Sequence, residues 1–205
     1  MVGCLNTLGR IHRARSCRAA RRAHHATTGP GRGRPRRRGR LRPGRRLALA
    51  RRFDVKVASL YAHVKSSHDL KTRIALLALE ELADLLAAAL AGRAGKDALV
   101  AFANTYRDYA REHPGRFAAA GLGLDQETAA ASAGRRHTQM ARAVLRGYDL
   151  AEQDHTAAVR LLGSVVHGYV SLELGGGFAH STPDSQETWP RILDALDALL
   201  RNWPA

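Results

Sequence analysis

Within one short segment, residues 56–65, the chain sets out Lys56, Ser59, Tyr61, His63 and Lys65. These ammonium, hydroxyl and imidazole groups donate hydrogen bonds readily to phosphate oxygens and to base edges. Val57, Leu60 and Val64 recur among them at the i, i+3, i+7 spacing of a buried helical stripe. That leaves Lys56, Ala58, Ser59, Tyr61, Ala62 and His63 outside the stripe. The elements that must position them are an apolar helix over residues 47–53, a tight turn over 54–56 and a short second helix over 57–64. This is a helix-turn-helix, whose second helix, small and hydrogen-bonding on its outer face, has the shape to enter a DNA major groove. The alternative is a helical hairpin buried in an all-α protein, which would leave Tyr61, His63 and Lys65 exposed for no reason.

The order Val57, two residues, Leu60-Tyr61, one residue, His63-Val64-Lys65 resembles the recognition helix of TetR/AcrR transcriptional regulators. The resemblance implies that Ser59, Tyr61, His63 and Lys65 hold the DNA backbone while Lys56, Val57 and Ala58 face the bases. Ser67 departs from the family, in which a Lys is common there as a phosphate contact.

Residues 1–46 differ from the rest in composition. They contain fifteen arginines and no Asp, Glu or Lys, which leaves equal numbers of basic and acidic residues in the remainder and puts the net charge of +15 in this arm. Residues 29–46 are almost entirely Gly, Pro and Arg, too poor in apolar surface to offset chain entropy, so the arm is expected to be disordered. Two readings stay open for it. Arginines neutralise phosphates; equally, a GC-rich gene segment read in a shifted frame yields Arg, Gly, Pro and Ala, with the family pattern resuming near Leu47. The apolar first helix that TetR-like proteins carry here is not visible.

Composition points to an all-α chain with a small head at residues 47–70 continuous with a larger helical body at 71–205. Apolar residues make up 45% and aromatics only 5%, with Ala and Leu dominant. Cys4 and Cys17 both lie in the arm and define neither a disulfide framework nor a metal site. No apolar run reaches the roughly 18 residues of a membrane span, and no signal segment is apparent, so the chain is expected in the cytoplasm.

In the body, Ser66 with Asp69 three residues on reads as a helix cap that opens a long Ala/Leu helix over residues 68–90, stopped at Gly92. A helix over 97–113 follows, with Phe102, Tyr106, Tyr109 and His113 as one aromatic stripe, then a short turn of helix over 116–120. Asp125 is expected to cap a helix running to residue 146. Helices over 151–174 and 189–203 complete the body. Residues 102–120 and 166–174 are similar to the regulator C-terminal domain named for a Trp-His-Gly triplet; His167-Gly168 stand in place and Val166 replaces the Trp.

That family dimerises through its last two long helices. Here the interface is expected at Leu162, Val166 and Val170 of the penultimate helix and Ile192, Leu196 and Leu199 of the last, although packing onto the body would account for part of each stripe. A two-fold dimer suits a palindromic operator on double-stranded DNA. The family also binds small-molecule effectors. The pocket candidates are Phe102, Tyr106, Tyr109, His137, Met140 and His167, each also at home in a helical core, and the lack of clustered charge argues against a highly charged effector.

Enzymatic chemistry has no visible basis in the sequence. There is no phosphate-binding Gly loop after a strand, no HExxH, no paired Cys motif, no Gly-x-Ser-x-Gly elbow, and neither a metal set nor a cofactor motif. Two functions remain: a DNA-binding regulator, which the resemblance implies is a repressor released by its effector; or a dimerising small-molecule-binding module whose Arg arm holds nucleic acid without sequence preference.

Overall fold

The computed structural model describes residues 64–204, and every regular element among them is helical. The chain divides into two compact units with a boundary at Arg73/Ile74. Residues 1–63, which include the expected arm and both helices of the expected helix-turn-helix, lie outside the described residues.

Of the first unit, the described part is the start of α1 (Ser67–Leu90). Ser66 and Asp69 form a reciprocal cap: the Asp69 backbone N–H donates to Ser66 Oγ at 3.0 Å, and the Lys65 N–H donates to Asp69 Oδ2 at 2.9 Å. Donors that a helix start leaves without intrahelical partners are thereby satisfied. The same carboxylate accepts from Arg73 Nε at 3.1 Å, one turn on.

The second unit is a bundle built around α2 (Gly95–Glu112). Small side chains at Ala98, Ala101, Ala103 and Ala110 let neighbours approach, while Leu99, Phe102, Tyr106 and Tyr109 fill the space between them. Burial over so wide an arc requires packing on several sides, and α2 contacts α3 (Pro114–Ala120), α5 (Gly134–Leu145), α6 (His155–Leu174) and α7 (Ser185–Arg201). Leu82 and Leu86 of α1, Val144 and Leu145 of α5, Leu162, Val166 and Val170 of α6, and Leu193, Leu196 and Leu200 of α7 close the core around it. A smaller cluster joins Leu79 and Ala83 to Ala133, with Met140 half-buried against both clusters.

The turn between α1 and α2 needs its glycines. Gly92 and Gly95 adopt φ of +72° and +55°, the left-handed region that only glycine enters without cost. Gly95 also lies against Gly147 at the end of α5, where a Cβ on Gly147 would fall 2.5 Å from the Gly95 nitrogen.

Three expected elements differ. The single helix expected from Asp125 to residue 146 is two: α4 (Gln126–Ala131), capped by Asp125 Oδ1 accepting from the Thr128 N–H at 2.9 Å, and then α5. The break falls at Ser132, whose hydroxyl donates to the Ala129 carbonyl at 2.7 Å and accepts from the Gly134 N–H at 3.2 Å. These local bonds compete with helix continuation. At the C-terminus, α7 starts a turn before Trp189, because Asp184 caps it by accepting from the Glu187 N–H at 2.9 Å. The expected 151–174 helix is a 3-10 turn, Glu152–Asp154, leading into α6.

Candidate effector core and assembly face

The fold brings three of the six pocket candidates together. Tyr106 on α2 lies 2.8 Å through its hydroxyl from His137 Nδ1 on α5, and Phe102 stacks one turn earlier with ring centroids 5.2 Å apart. The other ring nitrogen, His137 Nε2, is 2.7 Å from the Leu79 carbonyl oxygen of α1. A carbonyl can only accept, so Nε2 carries the proton, Nδ1 is the acceptor and the Tyr106 hydroxyl donates to it. His137 is 1% exposed. Burial lowers its pKa and the neighbouring Leu79 carbonyl opposes this only in part, so the neutral imidazole bridges three helices. Burial likewise pushes the Tyr106 phenol well above its usual range.

The other three candidates lie elsewhere. Tyr109 is buried, but its hydroxyl donates to Glu81 Oε2 of α1 at 2.8 Å, and Glu81 also accepts from Arg116 Nη1 at 2.9 Å. His167 on α6 stacks on Phe117 of α3 with centroids 5.2 Å apart, and its burial lowers its pKa. Met140 sits half-buried between the two apolar clusters.

Four of the six expected interface residues require correction. Leu162, Val166, Val170 and Leu196 are all at most 4% exposed within the single chain and belong to its own core. They point inward, into the core that α6 and α7 share with α2 and α5. Leu199 is exposed and Ile192 half-buried, on the outer side of α7. On α6 the outer side presents half-buried Leu161 and Val165, then Gly168 and exposed Leu172. A Cβ on Gly168 would meet nothing within 4 Å.

A polar cluster that the sequence did not signal joins α2 to the α6–α7 corner. Arg107, 4% exposed, grips Glu173 in a two-pronged ion pair, Nε donating to Oε2 at 2.9 Å and Nη2 to Oε1. The Ser185 hydroxyl donates to the same carboxylate at 2.7 Å, and Tyr169 donates to the Ser185 carbonyl at 2.6 Å. The guanidinium lies over the Trp189 ring at 5.3 Å, and Trp189 Nε1 donates to Asn104 Oδ1 at 2.7 Å. Its hydrogen bonds from Arg107 hold the Glu173 carboxyl below its usual range despite burial. Arg107 and Glu173 are 66 residues apart, and no local pattern links such positions. A second site of this kind pairs Tyr148 with Asp197 at 2.8 Å, and Asp197 with Arg201 at 3.0 Å.

Of the expected DNA contacts, Lys56, Val57, Ala58, Ser59, Tyr61 and His63 lie outside the described residues. Lys65 is exposed, and its backbone takes part in the α1 cap.

A bundle centred on one aromatic helix, with two long helices at its edge showing apolar outer faces, invites comparison with known proteins. Residues 99–196 match the family model described as tetracyclin repressor-like, C-terminal domain. The helical body is similar to that domain. The matched stretch runs from within α2 to within α7 and includes Tyr106, His137 and the Arg107 cluster. The chain is also 36% identical over 133 residues to an HTH-type transcriptional regulator of Mycobacterium tuberculosis, covering 63% of this chain and 60% of that protein. It is 26% identical over 125 residues to an HTH-type transcriptional regulator of Bacillus subtilis, covering 61% of this chain and 65% of that protein. The match thus spans less than two thirds of the length of either relative. Among the described residues no helix is long and apolar enough to cross a membrane, and no group of His, Cys, Asp and Glu is arranged to hold a metal ion.

Proposed function

We propose that this chain is a DNA-binding transcriptional regulator, a homodimeric repressor released from a palindromic operator by a small-molecule effector. The observation that carries the reading is the match of the body to the TetR-type C-terminal domain, joined to the recognition-helix pattern of residues 57–65. Lys56, Val57 and Ala58 face base edges in this reading, and Ser59, Tyr61, His63 and Lys65 hold phosphates.

Dimerisation uses the outer faces of α6 and α7, with Leu161, Val165, Leu172, Ile192 and Leu199 as the apolar contact and Gly168 as a point of close approach. Exposed apolar residues in a contiguous face favour such a partner. The effector enters beside Phe102, Tyr106 and His137, where α1, α2 and α5 meet. Since burial keeps His137 neutral and Phe102 stacks on Tyr106 beside it, an uncharged, largely apolar effector fits best. It shifts the population of body conformations by binding one better than another.

Selection of genomic fragments with the full chain, followed by fluorescence anisotropy against excess random DNA, tests the reading. A regulator keeps its preferred fragment under competition, and Tyr61→Ala weakens that binding while helical content stays unchanged. The fifteen arginines of residues 1–46 favour a second reading, a dimerising ligand-binding module whose arm holds nucleic acid non-specifically. Loss of all preference under competition, together with a steep salt dependence, would select that reading instead.

A further inference from the structure

Helices α6 and α7 are joined by a ten-residue connection that opens with Gly175-Gly176-Gly177. It turns back on the end of α6, the Gly177 N–H donating to the Leu172 carbonyl at 2.7 Å and Phe178 stacking on Tyr169 with centroids 4.9 Å apart. The two helices also rest on α2 more extensively than on each other. Their mutual orientation, and with it the shape of the face that Leu161, Val165, Gly168, Leu172, Ile192 and Leu199 present, depends on how each is held to α2, the element that both share, with α5 also packed on α6.

The apolar contacts to α2 resist separation but are not directional. The Arg107 cluster is directional. One planar guanidinium on α2 makes paired bonds to Glu173 in the last turn of α6, and the same group reaches the Ser185 carbonyl, at 3.4 Å, at the first residue of α7. Ser185 and Tyr169 cross-link the two helix ends, with the Tyr169 hydroxyl 2.7 Å from Thr188 Oγ1. A two-pronged Arg–carboxylate pair fixes orientation as well as distance.

We infer that Arg107 is the positioning residue for assembly: through Glu173 and Ser185 it sets the α6–α7 angle and so the geometry of the dimer face. This rests on the reading of α6 and α7 as the dimer-forming pair. It also supplies a route for regulation. Tyr106, the adjacent residue of α2, contacts His137 in the effector core, so a ligand that turns or shifts α2 moves Arg107 with it. A buried pair of this kind contributes specificity of arrangement beyond stability, because an apolar replacement can restore stability without restoring direction.

Sedimentation equilibrium and thermal melts on the full chain distinguish positioning from stabilisation. Arg107→Met alone leaves the Glu173 carboxylate without its counter-ion, with only the Ser185 hydroxyl still donating to it, and lowers the melting temperature. Arg107→Met with Glu173→Met removes the charge of both partners; the melting temperature recovers, while the dimer dissociation constant remains about tenfold weaker than wild type. Ser185→Ala, which removes a single hydroxyl, folds as wild type and weakens the dimer in the same direction, and it decides the matter if the double variant fails to fold. A folded double variant, or in its absence a folded Ser185→Ala chain, that dimerises with the wild-type constant overturns the inference and leaves the dimer reading standing. A monomeric wild type overturns the dimer reading and the inference together.

Discussion

Removing the Tyr106 hydroxyl tests the assignment of protons in the effector core. In Tyr106→Phe, His137 Nδ1 loses the donor 2.8 Å away, while Nε2 keeps its bond to the Leu79 carbonyl. A buried acceptor left unpaired costs about 1–3 kcal/mol. For a body of this size that lowers the melting temperature by roughly 2–8 °C per kcal/mol, read by circular dichroism at neutral pH. The pH profile gives a second measurement. Burial lowers the His137 pKa in the folded chain, so as pH falls the unfolded chain binds the proton first. The stability tied to neutral His137 is complete above about pH 6.5 and is lost as pH falls through that value toward the folded-state pKa, with a slope of up to about 1.4 kcal/mol per pH unit. His167, lowered by burial, adds to the same window. Glu173 and Asp197, held low by their partners, lose their contributions only further into acid. His137→Gln should flatten the profile between pH 5 and about 6.5 without altering the more acidic limb. A Tyr106→Phe chain as stable as wild type, or a His137→Gln profile parallel to wild type through that window, would refute the neutral, doubly bonded imidazole.

Two other substitutions separate features that look alike in sequence. Gly147→Ala puts a Cβ 2.5 Å from the Gly95 nitrogen and 2.7 Å from its Cα, and should cost about 1–3 kcal/mol in a urea melt; Gly115→Ala, with nothing within 4 Å, should leave stability unchanged or raise it by up to about 1 kcal/mol. Leu196→Ala should destabilise the single chain by about 2–5 kcal/mol because Leu196 is core, whereas Leu199→Glu should alter stability by no more than about 0.5 kcal/mol and shift sedimentation toward monomer. Equal stability losses at 196 and 199 would mean that the two faces of α7 are misassigned.

Local chemistry made much of the body legible. The Ser66/Asp69 cap, the stop at Gly92, Pro114 at the head of α3 and the Asp125 cap each act through bonds or backbone limits a few residues long. The aromatic period of α2 announced a buried helix for the same reason, since i, i+3 and i+4 neighbours share a face in any helix. Where short-range competition was subtle, as at Ser132, the break was missed.

Caps, glycines and periodicity are properties of neighbouring residues, and they are enough to make the body helical, to place most helix starts and stops and to mark which stripes are apolar. Which apolar stripe faces inward was decided only in the tertiary structure: Leu196 and Leu199 are equally apolar and three residues apart, yet α2 covers one and leaves the other exposed. The same holds for partners. Tyr106 with His137, Tyr109 with Glu81, and Arg107 with Glu173 are separated by 31, 28 and 66 residues. A hydrogen bond between such positions exists only once three or four helices have packed, and packing depends on the whole set of side-chain volumes rather than on any segment.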